Sequence, residues 1–335
     1  MEEYSKIVFP LVRDIYKSRF HSRMNSESVI EVEELQKIYG ELHAVDGISF
    51  SVKKGEVFAF LGPNGAGKTT TVEMIEMIRT PSAGRITVFG KELGKNKAEV
   101  RERVGVLPQE FKSFDRLTVR ETLLYFQNLY DESTWDVDEI IDLLNLGEKK
   151  NTLYMHLSGG LKQRVGVGMA LVNDPDIVFL DEPTTGLDPR ARREVWEVIR
   201  LLRERGKTVF LTTHYMEEAE QLADTVCIIH RGKIIARGTL EELILKHGKR
   251  SVLTMMGCDS KQVVKITGEL GFAAKISDYG VAITLPNPDS VVTILDKLKE
   301  VGLGYREIDI RRSTLEEVFL SLTGESLGGG EEYED

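Results

Sequence analysis

Cysteine is almost missing from this chain: of 335 residues, only Cys227 and Cys258 carry a thiol. Both lie in apolar stretches of strand character and read as buried small hydrophobes. They make no disulfide framework and match no metal-ligand spacing, which suits a reducing compartment. Long apolar runs are missing too. No stretch approaches the ~20 residues that cross a bilayer, so a membrane role falls to a partner chain. The N-terminus lacks a signal-peptide core, because Glu2, Glu3, Lys6, Pro10, Arg13 and Asp14 interrupt it. A basic excess is also lacking: 44 Lys and Arg stand against 54 Asp and Glu, a net charge of -10. That argues against a general nucleic-acid binder. Positive potential for an anionic ligand must then be concentrated in a site.

What is present is an ordinary apolar fraction, 41%, enough for a sizeable core. The length implies two domains, or a large one and a small one. We divide the chain into residues 1–28, an extension; 29–245, which hold every chemical motif; 249–324, a smaller unit; and 325–335, a Gly/Glu-rich tail expected to be disordered. In the extension, Ile7, Val8, Leu11, Val12 and Ile15 repeat at helical spacing around a kinking Pro10. Three readings stay open there: a packed helix, a basic amphipathic helix on a membrane surface, or an upstream start, with Met24 the true one.

The middle part alternates strands and helices. Strands are predicted at Val29–Leu35, Glu56–Phe60, Ile177–Leu180 and Thr208–Leu211. Helices are predicted at Thr70–Ile78, Glu121–Leu129, Val137–Leu146, Val165–Val172 and Arg190–Arg205. Short, wholly apolar strands between helices mean a mostly parallel α/β sheet. After His247 the pattern becomes strand 251–256, helix 260–270, strands 273–277 and 281–285, helix 289–300, strand 303–310 and helix 314–322. That βαββαβ order predicts a small α+β ferredoxin-like domain.

Three motifs carry chemistry. Gly62-Pro63-Asn64-Gly65-Ala66-Gly67-Lys68-Thr69-Thr70 fits G-x-x-x-x-G-K-[ST] after a strand and before a helix. Glycines let the backbone approach phosphate closely. Its N–H groups and the helix start favour negative charge. Lys68 suits the β- and γ-phosphates of a nucleotide, and the Thr69 hydroxyl suits Mg²⁺. Ile177-Val-Phe-Leu180 ends in Asp181 and Glu182. Neighbours on a strand point to opposite sides, so the two carboxylates take different jobs: Asp181 in the Mg²⁺ shell, Glu182 as general base toward water. Two acids at a strand end are otherwise an ordinary solvated turn. Leu157-Ser158-Gly159-Gly160 opens a helical run. It offers a second anion site, or simply a helix cap.

Together, the phosphate loop, LSGG and the strand-borne Asp-Glu pair resemble the ATP-binding subunits of ABC transporters over about residues 29–245. The resemblance implies the P-loop NTPase ABC-ATPase fold, with a mixed sheet core, an antiparallel β subdomain and a helical subdomain. It implies ATP and Mg²⁺ as ligands and hydrolysis as the activity. Tyr39, in Gln36-Lys-Ile-Tyr39-Gly40, corresponds to the aromatic that stacks on adenine, with Val45 as a further nucleotide contact. Gln109, in Leu107-Pro-Gln109, corresponds to the residue that meets Mg²⁺ and water and faces the membrane partner. Gly186-Leu-Asp188-Pro matches the loop crossing between subunits, and His214 the histidine at γ-phosphate. Taken singly, Tyr39 is a surface or core aromatic and His214 a strand-end histidine. With one phosphate loop and one LSGG, the resemblance implies a head-to-tail dimer. Ser158 and Gly160 of one copy then complete the ATP site of the other.

Leu161 stands where the family often has Gln, a variation that resembles the exporter branch. Leu315-Glu-Glu-Val-Phe-Leu-Ser-Leu-Thr-Gly324 resembles the terminal helix of daunorubicin-resistance-type exporters, whose ATPase subunits pair with a separate ABC-2 type permease. The expected place is the cytoplasmic face of the cell membrane, held there by that permease. The rival reading is an ABC ATPase acting on ribosomes or DNA. It lacks the tandem ATPase units or coiled-coil insertions such proteins usually carry. A module that binds ATP without hydrolysis is disfavoured by Glu182 and His214.

Overall fold

The computed structural model describes residues 27–94, 97–130, 135–248, 251–277, 280–286, 290–311 and 313–325. The expected N-terminal helix, with Pro10 and Met24, and residues 326–335 of the expected disordered tail 325–335 lie outside the described residues; Glu325, its first residue, is described and holds His230 and Arg231.

In chain order the elements are β1 (Ser28–Tyr39), β2 (Leu42–Lys53), β3 (Val57–Leu61), α1 (Lys68–Ile75), β4 (Ala83–Val88), β5 (Lys91–Glu92), α2 (Lys97–Arg101), β6 (Val104–Leu107), α3 (Val119–Gln127), α4 (Val137–Leu143), α5 (Gly159–Met169), β7 (Ile177–Asp181), α6 (Pro189–Glu204), β8 (Thr208–Thr213), α7 (Met216–Leu222), β9 (Thr225–His230), β10 (Lys233–Gly238) and α8 (Leu240–His247). There follow β11 (Ser251–Met256), α9 (Ser260–Glu269), β12 (Ala274–Ser277), β13 (Gly280–Leu285), α10 (Ser290–Glu300), β14 (Glu307–Arg311) and α11 (Leu315–Thr323). They fall into two compact units: residues up to Val57 with Thr69–Phe210, and Phe58–Lys68 with everything from Leu211.

The first unit holds an antiparallel sheet in the order β2-β1-β4-β5 and the strand run β8-β7-β6. β6 and β7 pair in parallel, Val104 opposite Ile177 and Leu107 opposite Leu180. Every residue of β7 is buried, as in strands covered on both faces. β1 runs four residues past its predicted end. Glu34 takes a left-handed φ of 46°, and the pairing with β2 shifts register there. This bulge carries the strand through polar residues and places Tyr39 at its end. α1 stops at Ile75, short of the predicted Ile78. Met77 turns to φ 66°, and the Ile78 N–H closes back on the Glu73 carbonyl at 2.8 Å, a left-handed helix stop. α6 starts where Asp188 accepts from the Arg190 and Ala191 N–H groups with Pro189 in the first turn. It buries Val195, Trp196, Val198, Ile199 and Leu202.

The second unit joins strands in the order β10-β9-β3, with β3 parallel to β9. One core cluster includes Ala59 and Leu61 of β3, Val226 and Ile228 of β9, Leu243 of α8, and Leu315, Val318 and Phe319 of α11. Burying such a side chain contributes about 1.5–3 kcal/mol. A separate cluster lies under the sheet β12-β13-β11-β14, all of whose pairings are antiparallel. Leu253, Met255, Val281 and Ile283 of that sheet pack with Val263, Ile266, Ile294 and Leu298 of α9 and α10. Alternating burial in β13 puts one face on these helices. The order β11-α9-β12-β13-α10-β14 is the split βαβ arrangement of ferredoxin-like domains.

Candidate nucleotide site

Within the second unit, β3 delivers the chain into the loop Gly62–Gly67. Gly65 and Gly67 have φ of 77° and 104°, a backbone that side chains with Cβ rarely adopt. A Cβ on Gly62 would stand 2.3 Å from the Ile229 carbonyl oxygen, whereas one on Gly65 would meet nothing within 4 Å. The loop is thus pressed against β9 at its start and open at its middle. The Gly62 N–H donates to the Thr213 carbonyl at 3.3 Å, and the Gly232 N–H donates to that of Ala66 at 3.0 Å. Lys68 is buried, and its Nζ donates to the Gly62 and Pro63 carbonyls at 2.9 and 3.2 Å. A buried ammonium inside a cradle of glycine backbone fits a polyphosphate. His214 follows the end of β8, its ring 4.0 Å from that of Tyr215.

Within the first unit, the strand-borne carboxylates part company differently from the sequence expectation. β7 ends at Asp181, and Glu182 lies beyond it with φ 49°. Strand alternation therefore does not separate them; the left-handed turn at Glu182 does. Such a backbone costs a non-glycine residue about 1–2 kcal/mol and persists only where its surroundings hold it. Here they do: the Glu182 Oε2 accepts from Gln109 Nε2 at 3.3 Å and from the Thr185 hydroxyl at 3.2 Å. Both carboxylates are buried. Thr69 and Thr70 are half-buried in the first turn of α1.

Glu76, just past α1, was not foreseen. Burial, then the charges of Asp181 and Glu73, push its carboxyl up to about 8. Tyr39 is 41% exposed, and its hydroxyl accepts from Arg79 at 3.1 Å. Arg79 in turn is bound to Glu73. Lys37 Nζ lies 5.2 Å from the Tyr39 ring centroid. Val45, expected to touch nucleotide, is fully buried in β2.

LSGG has its own place. The helix begins at Gly159, not Val165, because Ser158 caps it by accepting the Leu161 N–H at 3.4 Å. Both glycines sit in the first turn, where few intrahelical bonds are at stake. Gly160 is also needed for packing, since a Cβ there would come 2.7 Å from that of Ala191. Ser158, Gly160 and Asp188 line a cleft of about 300 Å³, which Arg164 and Glu194 also line. Neither Asp181 nor Glu182 lines it. The structure thus brings Gln109 to Glu182, and Ser158 to Asp188, as two separate groups.

The profile of the family described as ABC transporter matches residues 45–185. The Nod factor export ATP-binding protein I of Rhizobium sp. (strain N33) is 38% identical over 307 residues, 90% of this chain and 99% of that one. The chain belongs to the ATP-binding subunits of ABC transporters. The linearmycin resistance ATP-binding protein LnrL of Bacillus subtilis (strain 168) is 35% identical, covering 89% of this chain and 99% of its own. A solved dimeric bacterial ABC transporter cassette, 25% identical, superposes with a TM-score of 0.56 over 63% of this chain and 98% of that one. The strands and helices described above are accordingly an ABC ATPase fold, and the chain is an ATPase of that family. The reading as an ATPase of ribosomes or DNA gains no support from these relatives. Among the described residues, no helix is long and apolar enough to cross a membrane.

Proposed function

We propose that this subunit powers export: two copies close head to tail over two ATP molecules and move a separate ABC-2 type permease. The observation that carries the proposal is Glu182, held at a left-handed turn by Gln109 and Thr185. A fixed, buried carboxylate after an acidic strand end is what a general base toward water requires. Lys68 and the Gly62, Pro63, Asn64, Gly65, Ala66 and Gly67 backbone would cradle the phosphates, with Thr70 behind them. Tyr39 would stack on adenine, and His214 would meet the γ-phosphate. Ser158, Gly160 and Asp188 would cap the ATP of the second copy. Their separation from Glu182 within one chain supports this, as does the dimeric cassette among the solved structures.

Asp181, Thr69 and Gln109 would hold Mg²⁺. Their donor set, one carboxylate with a hydroxyl and an amide, is what Mg²⁺ takes when phosphates and water complete its shell. The charge that Asp181 exerts on Glu76 fits a cation there. Bound there, Mg²⁺ would neutralise charge on the phosphate oxygens. The chain's own part is to position phosphate and water and to exclude solvent. Export rests on the two relatives, named for export and for resistance. Residues 29–245 then act as the ATPase domain and 249–324 as an accessory domain. The subunit sits on the cytoplasmic face of the membrane through its permease.

Replacing Glu182 with Gln keeps the shape and removes the base. The expected result is unchanged ATP affinity, phosphate release reduced at least about a hundredfold, and a dimer trapped by ATP on size exclusion. Turnover near the wild-type rate overturns the assignment.

A further inference from the structure

The hairpin between β9 and β10 turns at Arg231 and Gly232, with φ of 49° and 77°. Both residues are left-handed, as two-residue hairpins of this type require. Arg231 does this with a full side chain, so the turn needs holding. One side of it lies on the phosphate loop. The Ile229 carbonyl oxygen lies 2.3 Å from where a Cβ on Gly62 would be, and the Gly232 N–H donates to the Ala66 carbonyl at 3.0 Å. The other side lies on the last helix. Phe319, fully buried, meets the His230 ring edge-on with centroids 5.9 Å apart. Glu325, just past α11, reaches His230 Nε2 at 3.1 Å and Arg231 at 2.5 Å. α11 itself is anchored: the Leu315 N–H donates to Glu220 at 2.7 Å, and the Ser321 hydroxyl donates to the His247 carbonyl at 2.8 Å.

We propose that the last helix positions the phosphate loop: Phe319 and Glu325 hold the 229–232 turn, and that turn holds Gly62 and Ala66. Glu325 and Arg231 are positioning residues, some 260 positions from the loop in the first case (325 − 62) and yet two contacts from it. The small β11–β14 domain is inserted between α8 and α11. The proposal rests on the reading of Gly62–Lys68 as the phosphate site.

The test uses the full chain with Glu325→Ala, Arg231→Ala, the double variant, and the charge swap Glu325→Arg with Arg231→Glu. Binding is measured with ATP and with inorganic tripolyphosphate, which reports on the phosphate loop alone, and turnover with ATP. Either single variant is expected to weaken both ligands about two- to fivefold, the range of an exposed ion pair. KM should rise with kcat unchanged. The double variant should be no worse than Glu325→Ala alone, and the swap should recover the part of the affinity that the Arg231 pair supplies. Unchanged binding in both single variants, or a loss that the swap leaves in place, overturns the proposal. Lys68→Ala is the control. If it leaves tripolyphosphate binding intact, the phosphate-site reading itself has failed, a different outcome from failure of the turn.

Discussion

Glu76 gives the sharpest quantitative test of the electrostatics around Asp181. Its Oε1 is buried without a hydrogen-bond partner, and its carboxyl titrates near 8 in place of an ordinary 4.5. Below about pH 4.5 the group is protonated whether the chain is folded or not, and stability does not respond to it. Between 4.5 and 8 the unfolded chain releases the proton and the folded one keeps it, so stability falls as pH rises. Above about 8 both states are ionised and the loss is complete. The interval from 4.5 to about 8 corresponds to at most roughly 5 kcal/mol, at about 1.36 kcal/mol per pH unit. Glu76→Gln keeps the shape and cannot ionise. Thermal unfolding of both proteins, in chelator and without nucleotide, gives the difference at each pH and cancels every other titrating group. That difference should move in favour of Gln by about 5 °C between about pH 5 and about pH 9. A difference that stays constant across this window refutes the argument, because a constant offset is what a purely steric or hydrogen-bonding effect produces.

Two other predictions follow from geometry. Arg79→Ala removes the guanidinium that holds the Tyr39 hydroxyl at 3.1 Å; ATP binding should weaken about threefold with tripolyphosphate unaffected, and an equal loss for both ligands in titration would separate Arg79 from the adenine platform. Gly160→Ala places a Cβ 2.7 Å from that of Ala191 and should cost about 1–3 kcal/mol and weaken ATP-driven dimerisation more than ATP binding. Adding Ala191→Gly should restore dimerisation in sedimentation analysis, and failure of that rescue counts against the close approach of α5 and α6.

Much of the family assignment is legible because it rides on local signals. Val57–Leu61 and Ile177–Asp181 are apolar throughout, and a wholly apolar run of five residues between helices has few other fates. The phosphate loop and LSGG are contiguous in sequence, so their residue order alone reveals them. What escapes is whatever depends on tertiary contact. The helix predicted from Val165 starts at Gly159, because Ser158 caps it there and Ala191 packs against Gly160. Gln36 to Tyr39 fall beyond the predicted strand until β2 pairs with them. Arg79, Glu76 and the Arg231–Glu325 pair carry no local signature, since each acquires its role from a residue that the chain reaches by another route.

The core beneath the phosphate-loop strand also sets an order of events in synthesis. Ala59 and Leu61 pack with Leu315, Val318 and Phe319, so the strand leaves the ribosome roughly 260 residues (319 − 61) before its last packing partners exist. At the usual ~5–20 residues per second, that is a wait of roughly 10–50 s with apolar surface still uncovered. A nascent chain halted between His214 and α11 would carry every nucleotide-binding motif and still lack part of the wall behind them. It would be a natural client for chaperones, and its ability to retain ATP should appear only as the final helix emerges.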